Sequence, residues 1–139
     1  MRSRVWIILA LALASCRGSG QEAVYPVKGK VVYQGKPAEG AIVTFHSLTP
    51  RGNAKGPLPL PGGRAHKDGS FRLSTYQSND GAPAGKFAVT IVYRSPEQKE
   101  GDENTGPDLL GARYADPKTT PLQVEIKPGA NELDAFELR

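Results

Sequence analysis

Apolar and polar residues alternate in short runs along most of this chain, and clusters of glycine and proline separate the runs. A period of two puts one set of side chains on a single face of a β-strand. Val27–Tyr33 places Val27, Val31 and Tyr33 on one face and Lys28, Lys30 and Val32 on the other. In residues 41–47, Ala41, Val43 and Phe45 share a face, while Thr44 and His46 point the other way. The longest alternation, 86–94, turns Phe87, Val89, Ile91 and Tyr93 inward and leaves Thr90 on the opposite face. Leu122, Val124 and Ile126 form a further strand, and 132–138 a last one. There Leu133 and Phe136 have opposite parity, which predicts a bulge or a late strand start.

The breaks between runs carry turn chemistry. Gln34-Gly35-Lys36-Pro37, Asn79-Asp80-Gly81 and Pro128-Gly129 each reverse the chain. Asp68-Gly69, between strands at 64–67 and 70–74, predicts a type I′ hairpin with φ positive at both central residues, and Phe71 and Leu73 face the core. Residues 48–63 hold Pro50, Pro57, Pro59 and Pro61 among four glycines and read as a long extended connection without a central strand. A second long connection covers 95–121. No apolar stripe recurs at helical spacing. Seven short strands at this spacing predict an all-β fold, a seven-stranded antiparallel β-sandwich. Alternating strand direction then gathers the connections 48–63, 75–84 and 127–131 at the end where the chain enters. It gathers 34–40, 68–69, 95–121 and the C-terminus at the other.

The first sixteen residues break the pattern. Arg2 and Arg4 precede an unbroken apolar run at 5–14, and Leu13-Ala14-Ser15-Cys16 closes it. A bilayer span needs about 20 apolar residues, so the run is too short to cross one. It resembles a bacterial lipoprotein signal, in which signal peptidase II cuts before a cysteine that carries a diacylglycerol thioether and often an acyl group on its new amine. That resemblance implies residues 1–15 as a cleaved signal, lipidation such as palmitate at Cys16, and a lipidated, flexible tether over 16–23. A sandwich domain follows over 24–139. Two or three acyl chains make release from a membrane negligible. Cys16 is also the chain's one cysteine, so no intrachain disulfide competes for it. Arg17 follows where an Asp would favour the inner membrane, so the expected location is the outer membrane of the cell envelope.

Charge narrows the partners. The formal net charge of +4 falls to +2 once Arg2 and Arg4 are removed, and no segment interleaves basic with aromatic residues. Nucleic acid is therefore not an expected partner. Removal of the signal leaves 124 of 139 residues, enough to bury a core without a disulfide or metal.

Several motifs, in order, carry a second resemblance: Val27-Lys28-Gly29-Lys30-Val31, Gly35-Lys36-Pro37, Gly40-Ala41-Ile42-Val43-Thr44-Phe45, Lys67-Asp68-Gly69-Ser70-Phe71, and Gly85-Lys86-Phe87-Ala88-Val89. Together they are similar to the carboxypeptidase regulatory-like family, over about residues 25–139. The resemblance implies a transthyretin-like, prealbumin-type sandwich and a scaffold signature without chemistry of its own. An enzymatic relative, hydroxyisourate hydrolase, ends in a Tyr-Arg-Gly-Ser stretch, whereas this chain ends Phe136-Glu137-Leu138-Arg139.

Candidate chemistry is sparse. His46 and His66 fall at strand positions turned away from the core and cannot alone build a three-ligand metal site. Ser70, His66 and Asp68 can be drawn as a triad, but no nucleophile elbow accompanies them. Glu97, Glu100, Asp102, Glu103 and Asp108 give residues 94–112 a net charge of −3. Calcium there is the alternative to a solvated acidic face, yet the spacing lacks an EF-hand pattern. Tyr76 and Tyr114 are the loop aromatics that a sugar would stack on. The expectation is a non-enzymatic, lipid-anchored structural or protein-binding module with no cofactor, its partner an envelope protein or glycan. The alternative is a periplasmic carbohydrate- or peptide-binding lipoprotein that uses its long loops.

Overall fold

The computed structural model describes residues 21–52, 56–95 and 106–139. Signal peptide and Cys16 lie outside the described residues, as do Glu97, Glu100, Asp102 and Glu103. The chain folds as an all-β sandwich with one helical turn. Its strands are β1 (Val27–Tyr33), β2 (Lys36–Pro37), β3 (Ile42–Ser47), β4 (Gly62–Arg64), β5 (Ser70–Arg72), β6 (Gly85–Val92), β7 (Gln123–Ile126), β8 (Asn131–Glu132) and β9 (Phe136–Leu138), with α1 at Ala112–Ala115.

One sheet is built on β1. Lys28 pairs with Arg72 of β5 and also with Glu132 of β8, so these two strands flank β1 on opposite edges. β2 continues the β5 edge and β9 continues the β8 edge. The other sheet runs β4-β3-β6-β7, antiparallel throughout. The inward faces are those set by alternation. Val27 and Val31 of β1, Val43 and Phe45 of β3, and Phe87, Val89 and Ile91 of β6 are all buried. Phe71 and Leu73 join them, with Ile126, Phe136 and Leu138 from the last strands. Phe45 packs on Phe87 at 5.7 Å between ring centroids, and Phe71 stacks on Phe136 at 6.1 Å. Each such ring or large aliphatic contributes about 1.5–3 kcal/mol through burial.

The antiparallel expectation fails at the C-terminus, where β8 and β9 run parallel to β1. The expected bulge is present there and can be counted: Val27 pairs with Asn131, but Val31 pairs with Phe136, one residue further along. The extra residue restores Phe136 and Leu138 to the core side after Leu133. Among the described residues this break and the two-residue β2 leave nine strand segments.

The turns also differ from expectation. Positive φ at both central positions occurs at Gln34 (49°) and Gly35 (79°), between Tyr33 and its partner Lys36. At Asp68-Gly69 only Gly69 is positive, at 81°. Its amide donates to the His66 carbonyl and the His66 amide to the Ser70 carbonyl, which makes a three-residue loop. The Asp68 side chain decides this, because its carboxylate accepts from both the amide and the hydroxyl of Ser70. The strand expected at 64–67 is instead β4, which pairs with β3 while β5 pairs with β1. The hairpin therefore crosses from one sheet to the other. Gly63 permits the crossing, since a Cβ there would collide with the Arg72 carbonyl oxygen. β4 also extends into the connection expected to be strand-free, beginning directly after the buried Pro61.

The two ends of the sandwich are assembled as strand direction requires. At the entry end, Tyr25 and Ala82 exchange backbone hydrogen bonds and Asn131 donates to the Pro26 carbonyl. At the far end, Gln34 donates to Leu138, Val31 donates to Gly69, and Tyr33 meets Tyr93 edge-on at 5.6 Å.

Candidate functional site

The polar side chains of consequence gather at these two ends. At the entry end Glu22 is docked. Its carboxylate accepts from Arg51 Nε at 2.8 Å and Nη2 at 2.6 Å, and its amide donates to the Tyr76 hydroxyl. The Arg51 side chain is 10% exposed, and its guanidinium lies 6.0 Å from the centroid of the Phe87 ring. The core therefore presents an aromatic face that holds an arginine, and the arginine holds the incoming chain. Glu22, within the span that the sequence reads as tether, is thus in contact with the domain. Nothing in the sequence marks the pair, because 29 positions separate its members.

At the far end a groove of about 1040 Å³ opens, with Ile42 and Tyr93 between the cations Arg64, Lys67 and Arg94 and the anions Glu39 and Asp68. Arg64 reaches the Gly40 carbonyl, and Arg94 Nη1 reaches that of Gly106. Ile42, at the start of β3, remains 37% exposed at this lip. The groove mixes apolar side chains with charges of both signs, a surface suited to contact with another polypeptide.

The residues drawn from sequence as a triad come together only in part. Asp68 accepts from Ser70, and that hydroxyl bond, with the Ser70 amide next, holds the Asp68 carboxyl below its usual range. His66 enters the turn through its backbone. His46 points away from the core but is not solvent-facing: it is half-buried, and its Nε2 lies 2.9 Å from Thr90 Oγ1. Burial lowers its pKa. Thr90, on the face of β6 opposite the core ring of Phe87, is itself only 6% exposed. Cross-strand neighbours Thr44 and His46 cover it. Among the described residues no group of three His, Cys, Asp or Glu is placed to hold a metal ion. Asp108 accepts from the amides of Tyr93 and Leu110, so it ties the returning chain to the end of β6. Tyr114 is 7% exposed in α1, and the Tyr76 hydroxyl receives the Glu22 amide. Tyr114 is thus a packing group, while Tyr76 stays half-buried with its hydroxyl engaged.

Asp80 shows the strongest local design. Burial opposes its charge, but amides of Thr75, Gln77 and Tyr76 converge on the carboxylate and outweigh that effect, so its pKa is lowered. A folded-state value below the unfolded one adds stability that is present above about pH 4 and lost as pH falls through the folded value. Asp80→Asn should therefore be less stable than the parent at pH 7, and the gap should narrow as pH falls toward 3. Urea midpoints of both proteins at the two pH values check this, and a constant gap rules the carboxylate out as the cause.

The geometry defines a small all-β sandwich with a latched entry end and a grooved far end. No family model, no curated protein and no solved structure matches the chain.

Proposed function

We propose that this chain is a lipid-anchored, non-enzymatic protein of the bacterial cell envelope whose β-sandwich presents its far-end groove to a partner protein. The observation that carries the reading is Leu13-Ala14-Ser15-Cys16 at the close of a ten-residue apolar run behind two arginines. Cys16 is the lipid attachment point, and Arg17 after it favours the outer membrane. The domain is a carboxypeptidase regulatory-like sandwich of transthyretin type. Support for this comes from the motif order along β1, β3, β5 and β6 and from the two-sheet architecture. Entry of the tether opposite the groove supports the partner assignment, since a membrane-held domain then turns the groove outward. A glycan reading has less support, because Tyr114 is buried in α1 and only the half-buried Tyr76 ring is left for stacking.

Capture of the intact lipoprotein from solubilised envelope tests the assignment. Ile42→Asp with Lys67→Glu alters the groove at exposed positions and should remove the partner that the parent retains. A captured set unchanged by the double variant overturns the groove as the contact surface.

A further inference from the structure

Where the tether enters has a second consequence, for the surface beside it. Glu22 is clamped by Arg51 and Tyr76, and it lies six positions after Cys16. Six extended residues span at most about 21 Å. An acylated Cys16 therefore keeps the entry end within that distance of the lipid. Two leucines sit at this end. Leu48 leaves β3 just past Ser47, its amide bonded to the Lys86 carbonyl at the start of β6, and it is 47% exposed. Leu60 is 51% exposed and precedes Pro61, whose carbonyl receives the Phe45 amide. Between them lie Pro50, Pro57 and Pro59, all exposed. Proline has no amide N–H, so this connection brings fewer donors that would go unsatisfied against an apolar phase.

We infer that Leu48 and Leu60, with the prolines between them, form a bilayer-contact face that seats the sandwich on the membrane holding Cys16. The inference rests on the lipoprotein reading above and adds to it the orientation of the domain. The lipid supplies the holding energy, and tethering makes the leucine contact intramolecular, so a small apolar face is enough to set the orientation. The Arg51–Glu22 pair transmits that orientation to the fold because Arg51 is seated on the core ring of Phe87. The far-end groove consequently faces away from the membrane.

Tryptophan reports the contact cleanly, since the chain's one tryptophan, Trp6, leaves with the signal. The full chain carrying Leu60→Trp is expressed, purified and placed in phosphatidylethanolamine–phosphatidylglycerol vesicles with brominated acyl chains. Leu109→Trp, at a 40% exposed position on the connection joined to the far end of β6, is the control, and Leu48→Trp is the second reporter. Mass spectrometry of the same samples reads the lipid on Cys16. Expected is a lipidated protein in which emission from positions 60 and 48 falls by more than half while emission from 109 is unchanged. Lipidated protein with all three positions quenched alike, or none quenched, overturns the contact face and leaves the anchor standing. A Cys16 without lipid overturns both.

Discussion

Cys16→Ser is expected to reduce incorporation of a fatty-acid analogue to background while the parent labels strongly. In the proposed lipoprotein the thioether forms on the cysteine sulfur, and the sequence offers no other cysteine to take it. A serine hydroxyl is not a substitute, because the thiolate is the far better nucleophile and the modifying enzyme acts on it. The variant should also keep its signal, running larger than the processed parent on a gel. Labelling of the variant at the parental level would falsify the lipoprotein reading, and with it the membrane orientation.

Phe87→Ala is expected to cost on the order of 3–5 kcal/mol, the range for a large buried aromatic truncated to alanine. Phe87 is fully buried against Phe45, and its ring also carries the Arg51 guanidinium. The loss is a large share of the 5–15 kcal/mol that a typical domain has in hand. Thr90→Ala tests the other face of the same strand. Since Thr90 is buried and bonded to His46 and the Thr44 carbonyl, it should cost about 1–2 kcal/mol, more than an exposed residue and less than the ring. Urea midpoints at a common slope measure both. Equal shifts for the two variants would mean that the inward face of β6 is misassigned.

Much of this architecture is legible in the residues. The inward faces of β1, β3 and β6 follow directly from the alternation of Val27 with Val31, Val43 with Phe45, and Phe87 with Val89 and Ile91. The mismatch between Leu133 and Phe136 announces the one-residue slip between β8 and β9. The entry-end and far-end groupings follow from strand direction alone. Of the candidate sites, the sequence excludes a nearby second cysteine and points to Cys16, but it marks neither Glu22 nor Arg51. Nor does it show that Thr90 is covered, because parity says which way a side chain points and not what lies over it.

Period-two alternation, turn residues and the parity slip are local properties, set by backbone geometry and short-range sterics, so the sequence by itself determined the strand faces, the turn positions and the bulge. The reading of the anchor likewise stands on sequence alone. Choice of neighbour is not local. The tertiary structure decided that β8 and β9 lie parallel beside β1 and that β4 and β5 part to separate sheets past Gly63. It also decided that Phe87 reaches through Arg51 to hold Glu22. Each of those depends on surfaces brought together from distant parts of the chain, where the energy lies in mutual burial and pairing that no single segment encodes.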